Sequence, residues 1–169
     1  MTKNFKESLD KEMKNEKFRK EYNKELILER KKENKNKIFS SRDFSLFNAE
    51  DLLDELALEK EISLLGDNMY FYPEFSELIK EYVYPSVEEV AKKIAENNEW
   101  YIVPTGERAL EILGLSTQVS NEYKYASDGP TKTYEYMGRE IQFIHSDLVD
   151  RRKSIEVNLL RQTSMVKEI

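Results

Sequence analysis

Few residues in this chain invite a chemical reading. Pro104-Thr105-Gly106-Glu107 could set the Thr105 hydroxyl and the Gly106 N–H at the start of a helix, where backbone donors and the helix dipole favour an anion. One glycine in a short turn is weak support, and a helix cap with a change of chain direction accounts for the same residues. Asp128 precedes Gly129-Pro130, a setting in which a carboxylate more often shapes a turn than moves a proton. Glu107 and Arg108 read as surface residues of a first helical turn. His145 is the single histidine and follows an apolar run, which fits a structurally satisfied ring. With no cysteine there is no disulfide or thiolate-metal site, and one imidazole is too few for a His-built zinc centre or triad. No calcium-loop spacing of Asp and Glu around a glycine occurs. The expectation is a binding protein with no catalytic residues, cofactor or metal; a nucleotide-handling enzyme using Thr105 and Asp128 is the weakest alternative.

The elements that must position these residues show in the glycines and prolines. Three of the five glycines and two of the four prolines lie in residues 102–119 and 127–130. Glycine supplies backbone conformations that a β-carbon forbids, and proline fixes φ and removes a donor. The chain of 169 residues is 39% hydrophobic and 36% charged, enough for one domain or two small ones with a modest core and a charged surface. No apolar run is long enough to cross a membrane, and the polar N-terminus lacks the apolar stretch of a secretory signal. The expected location is the cytoplasm. The net charge of −6 is uneven: residues 1–37 carry 13 basic and 8 acidic side chains, and the remainder carries 14 and 25. A basic arm on an acidic body fits an arm that touches nucleic acid, attraction between the halves, or a solvated face.

Residues 1–35 read as a charged helical arm. Phe5, Leu9 and Met13, then Phe18, Tyr22 and Leu26, each step by four, so each triplet shares a helix face, with a break near Asn15. The stripe is thin, so the arm needs a partner surface. Residues 36–73 read as a winged-helix-like domain. Ile38-Phe39 precedes a short helix capped by Ser40 or Ser41, Asn48 caps a helix carrying Leu52, Leu53, Leu56 and Leu58, and two apolar runs flank Gly66-Asp67-Asn68 as a hairpin. Residues 74–169 read as a small α/β domain. Residues 74–98 are expected to be helical except at Tyr84-Pro85, with a capping box at Ser86 and Glu89. Trp100–Val103 reads as a strand, and Thr105 caps a helix that Gly114 ends. Strands are expected over 123–127, 131–136 and 139–144, turned by Asp128-Gly129-Pro130 and Met137-Gly138. A closing helix from about residue 147 carries Leu148, Ile155, Leu159 and Val166. The fold class is therefore α+β: helical arm, winged helix-turn-helix, then a mainly antiparallel sheet with a C-terminal helix.

Several blocks in order resemble the AbiEi-like antitoxin family. They are Ile38-Phe39-Ser40, Tyr70-Phe71-Tyr72-Pro73, Pro85-Ser86 with Val90-Ala91 and Ile94-Ala95, Pro104-Thr105-Gly106-Glu107, Leu113-Gly114-Leu115-Ser116-Thr117-Gln118-Val119 and Asp128-Gly129-Pro130. The resemblance covers roughly residues 36–146. It implies a winged helix joined to an α/β antitoxin domain, in a type IV antitoxin that represses its own promoter and opposes a nucleotidyltransferase-like toxin. Ser40, Ser41, Arg42, Asn48, Lys60 and Asn68 are the candidate nucleic-acid contacts. The chain departs from the family where basic residues are usual, with Glu50, Asp51, Asp54 and Glu55 in the recognition helix and Asp67 in the wing. Residues 38–73 hold two basic and eight acidic side chains, a poor match to phosphates. Glu50, Asp51, Asp54 and Glu55 therefore also read as an acidic face for a protein partner, as in a mobile-element inhibitor of a basic nucleic-acid-processing defence enzyme. The expected partners are promoter DNA and a cognate toxin, or such an enzyme; there is no membrane partner, and the arm and closing helix are compatible with a homodimer.

Overall fold

The computed structural model describes residues 3–33, 37–46 and 48–163. Its chain contacts form two units, Met1–Pro85 and Ser86–Ile169. The sequence placed its boundaries at residues 35 and 73 instead. The fold class is α+β, with six α-helices among the described residues, mainly antiparallel sheets and a C-terminal helix.

In the first unit, α1 (Lys3–Glu12) and α2 (Glu16–Glu33) are separated at Asn15. The Asn15 side-chain oxygen accepts the Lys17 N–H at 3.0 Å and the Phe18 N–H at 3.4 Å, which starts the second helix. The expected stripe is rotated. Phe18, Tyr22 and Leu26 are half-buried, whereas Asn23, Lys24 and Ile27 are buried. Acidic residues on the facing helix draw the lysine-bearing side of α2 inward. The side chains of Phe5 and Leu9 lie outside the described residues.

Strand β1 (Ile38–Ser40) leads through a 3-10 turn at Ser41–Asp43 to α3 (Ala49–Leu58). Leu52, Leu53 and Leu56 are buried with Ile27, Phe39 and Ile62, each contributing about 1.5–3 kcal/mol by leaving water. Leu58, expected on that face, is 84% exposed. Strands β2 (Ser63–Gly66) and β3 (Met69–Phe71) form the expected hairpin, and the sheet order is β1-β3-β2, all antiparallel. Asp67 and Asn68 both have positive φ, 46° and 56°, as a two-residue hairpin loop requires.

Residues 74–83 correct the sequence reading. They form a second hairpin, β4 (Glu74–Ser76) and β5 (Glu81–Val83), not a helix. Phe75, Leu78, Ile79 and Tyr82 have helical spacing, yet all are exposed, so no buried face selects the helix. Phe75 instead pairs across the strands with Tyr82, ring centroids 5.4 Å apart.

In the second unit, α4 (Val87–Asn97) carries the expected capping box. Ser86 Oγ accepts the Glu89 N–H at 3.3 Å, and the Glu89 carboxylate accepts the Ser86 N–H at 2.8 Å. Strand β6 (Ile102–Pro104), helix α5 (Gly106–Ile112), strands β7 (Tyr123–Ser127), β8 (Lys132–Tyr136) and β9 (Arg139–His145), and helix α6 (Ile155–Arg161) follow. The sheet order is β6-β7-β9-β8, with β7 and β9 parallel and the other pairs antiparallel. One sheet face carries Tyr125, Ile141 and Phe143, with Trp100 edge-on to Phe143 at 5.5 Å and α4 packed against β9. The other face carries Val103 and Ala126 against Ala109, Val149 and Leu159. The result is a three-layer unit.

Two expectations fail here. Asp128-Gly129-Pro130 does not turn a hairpin, because β7 and β8 are not neighbours. The chain stays beside residue 101 past the strand end: Asp128 N–H donates to the Tyr101 carbonyl at 3.3 Å and Asp128 Oδ1 accepts the Tyr101 N–H at 2.7 Å. The closing helix begins at Ile155, not near 147; Leu148 lies in a turn and Val166 lies outside the described residues. Ser154 Oγ accepts the Val157 N–H and so sets the helix start.

Candidate functional site

The six candidate nucleic-acid residues do not converge as one surface. Ser40 is buried, and its N–H donates to Asp43 Oδ2 at 2.7 Å, which closes the 3-10 turn. Ser41 and Asn68 meet: the Asn68 amide donates to Ser41 Oγ at 2.8 Å, tying that turn to the tip of the β2–β3 hairpin. Arg42 and Lys60 are exposed. Asn48 stands at the head of α3 with φ of 56°, and its side chain makes no cap bond, against the capping role expected of it. Lys60, with φ of 64°, ends α3: its N–H donates to the Ala57 carbonyl and the Glu61 N–H to the Leu56 carbonyl. This is a Schellman ending without its usual glycine.

The acidic face is divided among different partners. Lys20 Nζ lies 2.6 Å from Glu55, and Lys24 Nζ lies 3.1 Å from Glu55 and 2.7 Å from Glu59. Burial pulls the Lys24 ammonium toward neutrality, but Glu59 and Glu55 outweigh it and hold its pKa above the usual value. Hydrogen bonds from Lys20 and Lys24 hold the Glu55 carboxyl below its usual range. Asp54 accepts the Tyr70 hydroxyl at 2.7 Å, and burial pushes that hydroxyl well above the usual tyrosine pKa, with Asp54 adding to the rise. Glu50 and Asp51 remain exposed. Residues 51, 54 and 58 share one helix face, so the outward surface of α3 presents Asp51 and Asp54 around exposed Leu58. Between α2 and α3 lies a groove of about 180 Å³ lined by Arg19, Lys20, Asn23, Asn48, Asp51 and Glu55. The sequence missed the lysine bridge; the matched spacing of four in Lys20/Lys24 and Glu55/Glu59 was the available signal.

In the second unit the 102–130 blocks shape the chain. Pro104 ends β6 opposite Tyr125. Thr105 occupies the cap position of α5, but its side chain makes no cap bond; its N–H donates to the Lys124 carbonyl at 3.1 Å. Gly106 has φ of 62° and Gly114 φ of 70°. Gly114 and Leu115 close α5 on the Glu111 and Leu110 carbonyls, as expected. Arg108 is held between Glu88 and Glu111. Beyond Leu113, Leu115, Thr117 and Gln118 are exposed, and Ser116 Oγ accepts the Gln118 N–H at 3.1 Å.

Asp128 is a clamp. Its Oδ2 accepts Arg151 Nε at 2.6 Å, and Arg151 also donates to the Glu99 carbonyl. Burial raises the Asp128 pKa, but Arg151 and the Tyr101 N–H outweigh it and hold the carboxyl below its usual range. Gly129 lies under Trp100: a β-carbon there would meet the indole at 2.5 Å. Pro130 is exposed. His145 Nδ1 bonds the Gly129 carbonyl at 2.8 Å and Nε2 bonds Asp147 at 3.2 Å; the Gly129 carbonyl, then Asp147, raise its pKa. Asp128 meets the start of β6 and Thr105 follows its end, so the two do not converge on a reacting atom. Among the described residues no group of three or more His, Asp or Glu side chains is placed to hold a metal, and no helix is long and apolar enough to cross a membrane.

A family model described as a family of unknown function (DUF6088) matches residues 24–158, from the buried Lys24 to the buried Asn158. No curated protein and no solved structure matches the chain.

Proposed function

We propose, for a chain that belongs to the family of unknown function DUF6088, the role of a winged-helix antitoxin: an autorepressor that opposes a nucleotidyltransferase-like toxin. The observation that carries this reading is the order of the first unit. Helix α2, strand β1, the 3-10 turn, helix α3 and the β2–β3 hairpin follow one another, and the returning strand β3 pairs with β1. A winged helix has this succession, with the first helical segment of its helix-turn-helix reduced here to a 3-10 turn. The resemblance of the 102–130 blocks to AbiEi-like proteins supplies the antitoxin part. In this reading Arg42 and Lys60 reach phosphates, and Ser41 and Asn68 position the wing. The test is a gel shift with the DNA upstream of the chain's own coding sequence. Binding should weaken with salt, and replacing Arg42 and Lys60 by Ala should lower the salt slope by about 2. Absence of a shift at about 50 mM salt sinks the reading.

A second reading has its own support. Lys20 and Lys24 are spent on Glu55 and Glu59, so they do not offset Glu50, Asp51 and Asp54, and Leu58 stands 84% exposed among them. An apolar residue within an acidic face suits a basic protein groove better than DNA. In this reading α3 docks in the nucleic-acid channel of a defence enzyme or toxin. Competition separates the two: a protein target held through α3 is released by Leu58→Ser or Asp51→Lys, whereas promoter binding is unchanged by Leu58→Ser.

A further inference from the structure

The groove between α2 and α3 holds a buried side chain that the fold leaves unanswered. Helix α2 lines it with Glu16, Arg19, Lys20 and Asn23. Asn48 at the head of α3, then Asp51, Leu52 and Glu55, line the other wall at the same spacing, so each set shares one helix face. Lys20 and Glu55 satisfy each other at 2.6 Å. Asn23 differs. It is only 8% exposed, yet its side-chain amide has no hydrogen-bond partner among the described residues. Its buried neighbour Lys24, in contrast, is paired with both Glu55 and Glu59. Taking an amide out of water with its donors and its oxygen unused is costly, unless something in the groove bonds it. Asn48 brings a second amide to the rim, where its side chain makes no cap bond. Glu16, Arg19 and Asp51 are exposed there and have no ion-pair partner among the described residues.

We infer that this groove binds a small zwitterion, an α-amino acid by chemical class. The Arg19 guanidinium takes the carboxylate, Asp51 and Glu16 take the ammonium, and the Asn23 amide bonds the polar groups from below. Leu52 supplies an apolar wall for a short side chain. Size, charge and lining select this ligand. The groove measures about 180 Å³, and an apolar cavity of about 150 Å³ accepts benzene, so a solute of roughly six to nine heavy atoms fits. A simple anion would face Glu16, Asp51 and Glu55, and a simple cation would face Arg19 and Lys20; a zwitterion meets charge-assisted partners at both ends. No aromatic side chain lines the groove, so a nucleobase finds no ring to stack on. The inference rests on neither the promoter-binding nor the protein-docking reading, because it requires only that α2 and α3 hold their facing walls.

The test is calorimetric titration of the full chain with free L-alanine, L-serine, L-threonine and L-asparagine, and with the N-acetyl and the amide form of each. At least one free amino acid should bind with a Kd of about 1 mM or tighter. Its N-acetyl form lacks the ammonium and its amide form lacks the carboxylate, so each should bind at least about tenfold more weakly. At about 10 mM the free amino acid should raise the thermal midpoint of the first unit by about 5 °C. Asn23→Leu removes the buried amide without a change in net charge and should abolish binding. Arg19→Gln and Asp51→Asn alter exposed side chains, so they keep the test open should Asn23→Leu fail to fold; each should weaken binding by about tenfold or more. Four results overturn the inference: no saturable binding of any of the four amino acids, capped forms that bind as well as the free one, binding that survives Asn23→Leu, or binding indifferent to both Arg19→Gln and Asp51→Asn.

Discussion

Single side chains in the second unit carry more structure than their sequence context suggests. Asn158 is fully buried, and its amide serves the 150–154 loop: Oδ1 accepts the Asp150 N–H at 2.8 Å and Nδ2 donates to the Asp150 carbonyl at 2.9 Å. Asn158→Leu strands those backbone groups, so unfolding in urea should show a loss of about 2–4 kcal/mol. Nothing in the sequence distinguishes Asn158 from the other asparagines, since its partners form only once α6 is placed. Gly129 is similar. It reads as a turn glycine, but the indole of Trp100 claims its space. Gly129→Ala should cost about 1–3 kcal/mol and alter Trp100 emission; an unchanged melting curve contradicts the packing. Lys60 offers the opposite sign. Its φ of 64° is strained for a residue with a β-carbon, so Lys60→Gly should stabilise the first unit by about 1 kcal/mol. His145 links stability to pH. Its folded pKa is raised by the Gly129 carbonyl and Asp147. The linkage is therefore fully present below the unfolded value of about 6.5 and lost as pH rises through the folded value. His145→Gln should lower the melting temperature more at about pH 5.5 than at about pH 8.5.

At the scale of elements, sequence patterns succeeded where burial or a turn enforces them. The break at Asn15, the Asp67-Asn68 and Met137-Gly138 turns, the box at Ser86 and Glu89 and the Gly114 ending were all legible, because each depends on neighbours in the chain. The failures share a cause. Phe75, Leu78, Ile79 and Tyr82 repeat like a helix, yet nothing buries them, and hydrophobic spacing predicts a helix only where a core receives it. The buried side of α2 was rotated because Ile27 enters the core beside Leu53 and Leu56 while Lys20 and Lys24 meet Glu55 and Glu59, which leaves the Phe18/Tyr22 stripe half-buried. Lys24 is nearly enclosed between Glu55 and Glu59. Removing it takes that cation from Glu59 and leaves Glu55 to Lys20, both carboxylates being partly hydrated. Lys24→Ala should therefore cost about 1–3 kcal/mol, less than a fully buried pair would lose. Salt should not restore the stability, whereas the added effect of Lys20→Ala, at a more exposed pair, should fade as salt is raised.

For the whole molecule, the two units hold separate cores. One gathers Ile27, Leu53, Leu56 and Tyr70, and the other Val103, Ala109, Ala126 and Leu159. The sequence contains no Ser/Gly-rich linker that would have advertised a boundary, and the division at Pro85/Ser86 follows contacts that a linear reading cannot count. A unit with its own core can unfold on its own, and the chain supplies the probe. Trp100 is the single tryptophan and lies in the second unit, so its fluorescence follows that unit while circular dichroism sums over both. In urea, Gly129→Ala should move the fluorescence midpoint to lower denaturant and leave the remaining dichroism step in place. Lys24→Ala should move only the step that fluorescence does not see. If every variant shifted both signals together, the two units would form a single cooperative body. Separate steps would mean that partner binding at α3 stabilises the first unit alone, which makes the fluorescence-silent transition the signal to follow when a partner is titrated in.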